Sequence, residues 1–253
     1  MPMIKNFLDR FTSPLAFIVV LVLWETACRM FKVPVFVLPA PSMIAASFSE
    51  ITPLRWLEHL FATMQIAVTG YLLAIAVALP MAIGITRSRL LSRVLLPWLI
   101  VIQSTPIVAI APIIVVSLGA GAMPRVVITT LIAFFPMVIS TATGLASVPP
   151  ELIELSRSLR ATRSREYWQI RMPYAIPYIF SALKVAITLA VIGAVVAEFV
   201  AAEKGLGYLI LYATSSFKVA LAFGALIMLV SCSLALYGLI LWLHKRLFPW
   251  SLE

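Results

Sequence analysis

The sequence predicts an all-α membrane protein with six transmembrane helices and a cytoplasmic helix between the fourth and fifth spans. Of 253 residues, 62% are hydrophobic and 11% charged, with mean hydropathy +1.07, whereas soluble domains carry about 25% charged residues. Six stretches reach the roughly 20 apolar residues that cross a hydrocarbon core. Basic residues between them favour one side of the membrane. No internal repeat or soluble second domain is evident, so residues 1–253 read as one transmembrane domain.

Residues 3–12 are predicted to form an interfacial helix, because Ile4, Phe7, Leu8 and Phe11 recur at helical spacing with Lys5, Asp9 and Arg10 between them. The first span covers about 13–30. Lys5 and Arg10 ahead of a short apolar run suggest a signal peptide, but no small-residue cleavage pattern follows and the run continues past Glu25. A retained helix is expected. Residues 31–59 contain Leu38-Pro39-Ala40-Pro41-Ser42 and an amphipathic piece from Ser42, an external connection where proline blocks continuous helix. The second span runs over about 60–86 and the third over about 94–118. Pro97, Pro106 and Pro112 interrupt the third, with Gln103, Ser104 and Thr105 beside the middle one. Freed carbonyls and these side chains line a hydrated cavity, or the kinks serve packing alone. The fourth span, about 122–146, stops before Pro149 and Pro150; the fifth and sixth cover about 177–202 and 219–243.

With a cytoplasmic N-terminus, twelve of the nineteen Lys and Arg residues lie inside and five outside, leaving Arg29 and Lys184 within spans. The positive-inside rule therefore places both termini in the cytoplasm. The net charge of +9 then reflects loops near anionic lipid, not a nucleic-acid surface. Cys28 and Cys232 are far apart in apolar runs, and His59 and His244 fall at opposite ends of the bilayer. Neither a disulfide framework, a metal site nor a catalytic triad is expected.

Five arginines gather in the largest cytoplasmic loop, 147–176, within Glu151 to Pro177. Pro150 suits a first helical turn, and Leu152, Leu155 and Leu159 then share a face. Glu151 and Glu154 stand near the N-terminal end of that helix and arginines follow, as its dipole favours. Glu154 is also spaced to pair with Arg157. At this point Glu154-Leu155-Ser156, Ile170 and Met172-Pro173 resemble, at matching spacing, the cytoplasmic signature of ABC-importer permeases: Glu-Ala-Ala, three residues, Gly, nine residues, Ile, one residue, Leu-Pro. Arg160 stands where that family has glycine, followed by the small Ala161, so the tight turn that glycine permits is in question here. LPAPS, STPIVAIAPIIVVSLGAG and AEFVAAEKGLGYLI are similar to the nitrate, sulfonate and taurine branch, whose relatives also carry pyrimidine or riboflavin. The likeness covers almost the whole chain.

The resemblance implies a bacterial inner-membrane permease in which the loop forms a coupling helix. Leu155, Ser156 and Leu159 would enter a groove of a separate ATPase, oriented by Glu154 and the arginines. It also implies two ATPase subunits that bind ATP and Mg, an extracytoplasmic solute-binding protein, and a second permease copy. No glycine of this chain begins Gly-x-x-x-x-Gly-Lys-Ser/Thr, the pattern that holds nucleotide phosphates, so a cofactor within the chain is not expected. Lys204-Gly205-Leu206-Gly207 is expected as an outer re-entrant turn or helix end.

Charges within spans are candidates for the solute path. Lys184 is near enough to the cytoplasmic end to snorkel; Glu198 is either a gate or one half of a structural pair. The expected path along a dimer axis is lined by Gln103, Thr105 and the fifth span. A self-contained secondary transporter or channel driven through Glu198 or Lys184 is the alternative.

Overall fold

Backbone groups in hydrocarbon find no water, so each long apolar run must satisfy its own hydrogen bonds, and a helix does so within one segment. The computed structural model describes the backbone of residues 2–252 and the side chains of residues 15–251. In chain order the helices are α1 (Pro2–Met30), α2 (Pro41–Ser47), α3 (Pro53–Arg87), α4 (Arg89–Ser104), α5 (Ile107–Leu118), α6 (Ala122–Ala146), α7 (Pro150–Ser158), α8 (Arg163–Glu166), α9 (Met172–Ala201), α10 (Leu206–Ser215) and α11 (Val219–Leu247). A π-helical turn, Tyr167–Arg171, joins α8 to α9, and a 3-10 turn, Pro249–Leu252, ends the described chain. No strand occurs among the described residues.

Four helical runs among the described residues are long and apolar enough to cross a bilayer: α3, α6, the stretch Arg163–Ala201 and α11. The expected third span departs from a single kinked helix, because α4 and α5 meet at a bend of 97°. Only Pro106 breaks the chain, while Pro97 and Pro112 remain inside helices. Thr105, the residue before Pro106, is extended (φ −80°, ψ 125°), as clash with the following ring requires. Counting α4 and α5 as one broken span gives at most five crossings among the described residues, not the six expected, and α1 runs unbroken through the boundary expected at residue 12. The amphipathic face expected over residues 3–12 lies outside the described side chains.

Other boundaries follow local chemistry. α3 begins at Pro53, seven residues ahead of the expected span, with the proline in its first turn and Thr52 extended before it. Glu25 pairs with Arg29 at 2.6 Å. Its carboxylate also accepts from the backbone N–H of Ser42 at 3.0 Å and from the Ser42 hydroxyl at 2.8 Å. The LPAPS segment is thereby tied to α1.

α3, α6 and α9 form the centre of the fold. Ala67, Ala74, Ala78 and Ala82 of α3 are fully buried, as are Ala186, Ala190 and Ala194 of α9. Small side chains let these backbones approach closely, which is how helices pack where lipid removes the hydrophobic drive. Thr129 of α6 sits between two glycines: a Cβ on Gly70 would come 2.5 Å from its Cγ2, and one on Gly193 would come 3.0 Å from its Cα. The Tyr71 hydroxyl crosses from α3 to donate to the Leu183 carbonyl of α9 at 3.2 Å.

Candidate functional site

The α7 helix turns two faces in opposite directions. Ile153 and Ser156 are buried against the rest of the chain, whereas Leu152, Leu155 and Leu159 are 39%, 55% and 75% exposed. The Ser156 hydroxyl donates to the Ile153 carbonyl at 3.0 Å, and Ser156, though buried, lines one groove with Leu155 and Leu159. Between α7 and the start of α9 lies an open groove of about 430 Å³, walled by Leu155, Leu159, Ala161, Ile170 and Pro173. Residues that are far apart in the motif thus border one depression. Glu154 is exposed beside it. The pairing expected from its spacing does not form: Arg157 lies 3.8 Å from Glu166 instead.

Arg160 resolves how the turn survives without glycine. Its φ is +53°, in the left-handed region that glycine enters most readily. The Ala161 N–H donates to the Ser156 carbonyl and the Arg160 N–H to the Arg157 carbonyl, both at 2.9 Å. This pair of bonds is a Schellman closure, which satisfies carbonyls left open at a helix end. Arginine adopts the backbone geometry that the family motif reserves for glycine.

The loop is fastened to three membrane helices. The Arg171 Nε and Nη2 donate to one Glu166 oxygen at 3.0 and 2.9 Å, and Nη1 donates to the Leu145 carbonyl of α6 at 3.1 Å. A spacing of five residues is out of phase on an α-helix. The π-helical turn between Glu166 and Arg171 brings the two into register. The Tyr167 and Thr86 hydroxyls bond at 2.8 Å, linking the loop to the end of α3. Arg171 leads directly into α9. Neither Glu166 nor Tyr167 stood out in the sequence, because their partners lie on other helices or at an unfamiliar spacing.

Gln103, Ser104 and Thr105 lie at the α4–α5 bend. Gln103 and Ser104 are exposed and Thr105 half-buried on this single chain. The Ser104 and Thr105 hydroxyls donate back to the Ile100 and Val101 carbonyls at 2.8 and 3.0 Å, taking up acceptors near the break. Glu198 makes no hydrogen bond to them. Its side chain is 1% exposed, and Oε2 accepts from the Gly207 N–H at 2.7 Å. The neighbouring amides at the start of α10 are also met: Gly205 N–H donates to His59 Nδ1 at 3.1 Å and Leu206 N–H to the Thr63 hydroxyl at 2.8 Å. A carboxylate is favoured there by the helix dipole. The partner of Glu198 is therefore a helix end, and Gly205-Leu206-Gly207 begins a helix.

This combination of an Ala-lined helix core, a broken apolar hairpin and an amphipathic helix bolted to three spans defines a membrane permease. The chain belongs to the binding-protein-dependent transport system inner membrane component family, whose model matches residues 70–250, and is a permease of the ABC transporter type. It is 35% identical to a probable ABC transporter permease protein of Haemophilus influenzae, over 96% of this chain and 98% of that one. It is 36% identical to the riboflavin transport system permease protein RibX of Chloroflexus aurantiacus, covering 94% of this chain and 89% of the relative. The formylaminopyrimidine transport permease protein ThiX of Halalkalibacterium halodurans is 30% identical, with coverages of 93% and 94%. Among solved structures, an inward-facing conformation of the MetNI methionine ABC transporter aligns with a TM-score of 0.67 at 20% identity, covering 80% of this chain and all of that one. That likeness concerns the fold.

Proposed function

We infer that α7 is the contact through which a separate ATPase drives this permease, and that the chain imports a small organic or anionic solute. The observation that carries this reading is the uncovered leucine face of a helix whose base is bonded to α3, α6 and α9. Fully burying a leucine contributes about 1.5–3 kcal/mol, so a partner covering Leu155 and Leu159 would gain stable attachment. The nucleotide and Mg would be held by two such ATPases, with none held by this chain.

In the proposed cycle, ATP draws the ATPases together and α7 follows. The Arg171–Glu166–Leu145 link passes the displacement to α6, the Tyr167–Thr86 bond to α3, and chain continuity to α9. A second permease copy would complete a path lined by Gln103, Thr105 and the fifth span, opening alternately outward and inward. With the cytoplasmic termini and six spans proposed from the basic residues, α7 would face the ATPases and the start of α10 a solute-binding protein. Relatives named for riboflavin, formylaminopyrimidine and aliphatic sulfonates support a small polar organic or anionic cargo. A self-contained transporter coupled through Glu198 or Lys184 fits less well, because one Glu198 oxygen holds the start of α10 and such a transporter would leave the exposed leucine face of α7 without a use.

Leu155→Glu tests the reading. ATP-dependent uptake into vesicles should fall sharply while the permease still reaches the membrane. Undiminished uptake would refute it.

A further inference from the structure

Beside the Arg171–Glu166 and Tyr167–Thr86 links lies an open cavity of about 860 Å³ whose remaining arginines the transport cycle above does not use. Arg87 and Arg89 reach it from the α3–α4 turn, and Arg157, Arg163 and Arg171 from the coupling loop; Glu166 is the carboxylate among them. Five arginines and one acid therefore line it. Arg171 is committed to Glu166 and the Leu145 carbonyl, and Arg157 stands 3.8 Å from the other Glu166 oxygen. Arg87, Arg89 and Arg163 have no carboxylate within ion-pair distance among the described residues.

Arg87, Arg89, Arg157 and Arg163 are exposed at the cavity rim, and like charges gathered around a shared space repel one another. Scattered loop arginines satisfy the positive-inside bias without converging, so topology alone does not call for this arrangement. α4 also begins at Arg89, and Ser88 caps it by accepting from the Leu91 N–H at 3.3 Å. A positive helix end thus adds to the same wall. Planar guanidinium groups arriving from two sides suit a tetrahedral oxyanion that offers several acceptors.

We propose that this cavity binds a phosphate-class anion, which bridges the α3–α4 turn to the coupling loop. The phosphate is supplied by an acidic phospholipid headgroup or by a free phosphate compound. Binding offsets part of the positive charge of Arg87, Arg89 and Arg163 and stiffens the segment that carries α7.

The test uses the full-length chain in phosphatidylcholine nanodiscs. One arm dopes them with phosphatidylglycerol and reads retained lipid by native mass spectrometry; the other titrates pyrophosphate and reads thermal stability. Saturable binding that weakens with salt is expected in at least one arm. Arg87→Gln/Arg89→Gln should weaken it by about tenfold or more. Arg87→Lys/Arg89→Lys should retain part of it, which shows that the loss is not misfolding, and Arg165→Gln/Lys245→Gln, with the same change in charge, should retain all of it. Loss in the lipid arm alone assigns a headgroup; loss in the pyrophosphate arm assigns a free phosphate compound. Equal binding by wild type and the Gln pair, or no saturable binding in either arm, would overturn the proposal. So would loss of ATPase co-purification by the Gln pair without any phosphate binding, since the arginines would then face that partner.

Discussion

Arg160→Gly should make the end of α7 more stable, although it removes a charged side chain from the helix proposed to meet the ATPase. Left-handed backbone disfavours an L-residue by about 1–2 kcal/mol relative to glycine. Glycine gives back about 0.4–1 kcal/mol through its freer unfolded chain. A net gain of about 0.5–1 kcal/mol remains, roughly a two- to fivefold change in a local opening equilibrium. The arginine side chain makes no ion pair among the described residues, so its removal subtracts no contact of that kind. Hydrogen exchange, resolved to the peptide containing the Arg160 and Ala161 amides, reads the effect directly, because both amides close the Schellman turn. Protection should rise by that factor. Arg160→Val should lower protection, since β-branching makes positive φ harder still. Unchanged or weaker protection in the glycine variant would refute the strain argument.

Gly205→Ala should disrupt the junction of α9 and α10, because a methyl group there would overlap the Glu198 carboxylate at a φ of +133°. A loss of about 2 kcal/mol or more is expected, read as a lower midpoint in thermal unfolding of the purified protein. Tyr167→Phe removes one link between loop and α3, and Thr86 still donates to Ala82 or Ile83. A modest cost of about 0.5–1.5 kcal/mol is expected, with ATP hydrolysis retained and less uptake per ATP. Cysteines at 103 and 105 should react with a soluble thiol reagent in the membrane; resistance in every nucleotide state would argue against a path at the α4–α5 bend.

Helix content and the position of the coupling loop were legible because they depend on local pattern. Apolar run length gave α6 its observed limits, and Pro150 marked the start of α7. The Glu25–Arg29 pair followed from one-turn spacing. Features that depend on distant partners were not legible. Ser156 is buried because α7 packs against the rest of the chain along Ile153 and Ser156, a depth that the motif alone does not give. The Glu166–Arg171 bond needs a π-helical turn that periodicity does not announce. Three prolines in the third span suggested three kinks, yet the sharp bend falls at Pro106, where Thr105 is extended. Glu198 was recognised as unusual, but its partner is a backbone amide nine residues on, and an amide carries no side-chain signature.

The account rests on α7 meeting an ATPase, and a photo-crosslinker at Leu159, the most exposed of the three leucines, tests that contact directly. In the assembled transporter it should capture the ATPase subunit, with the yield changing between nucleotide-free and ATP-bound states. Capture of lipid alone, or of a second permease copy with no ATPase product in either state, would contradict the assignment of α7 as the coupling helix.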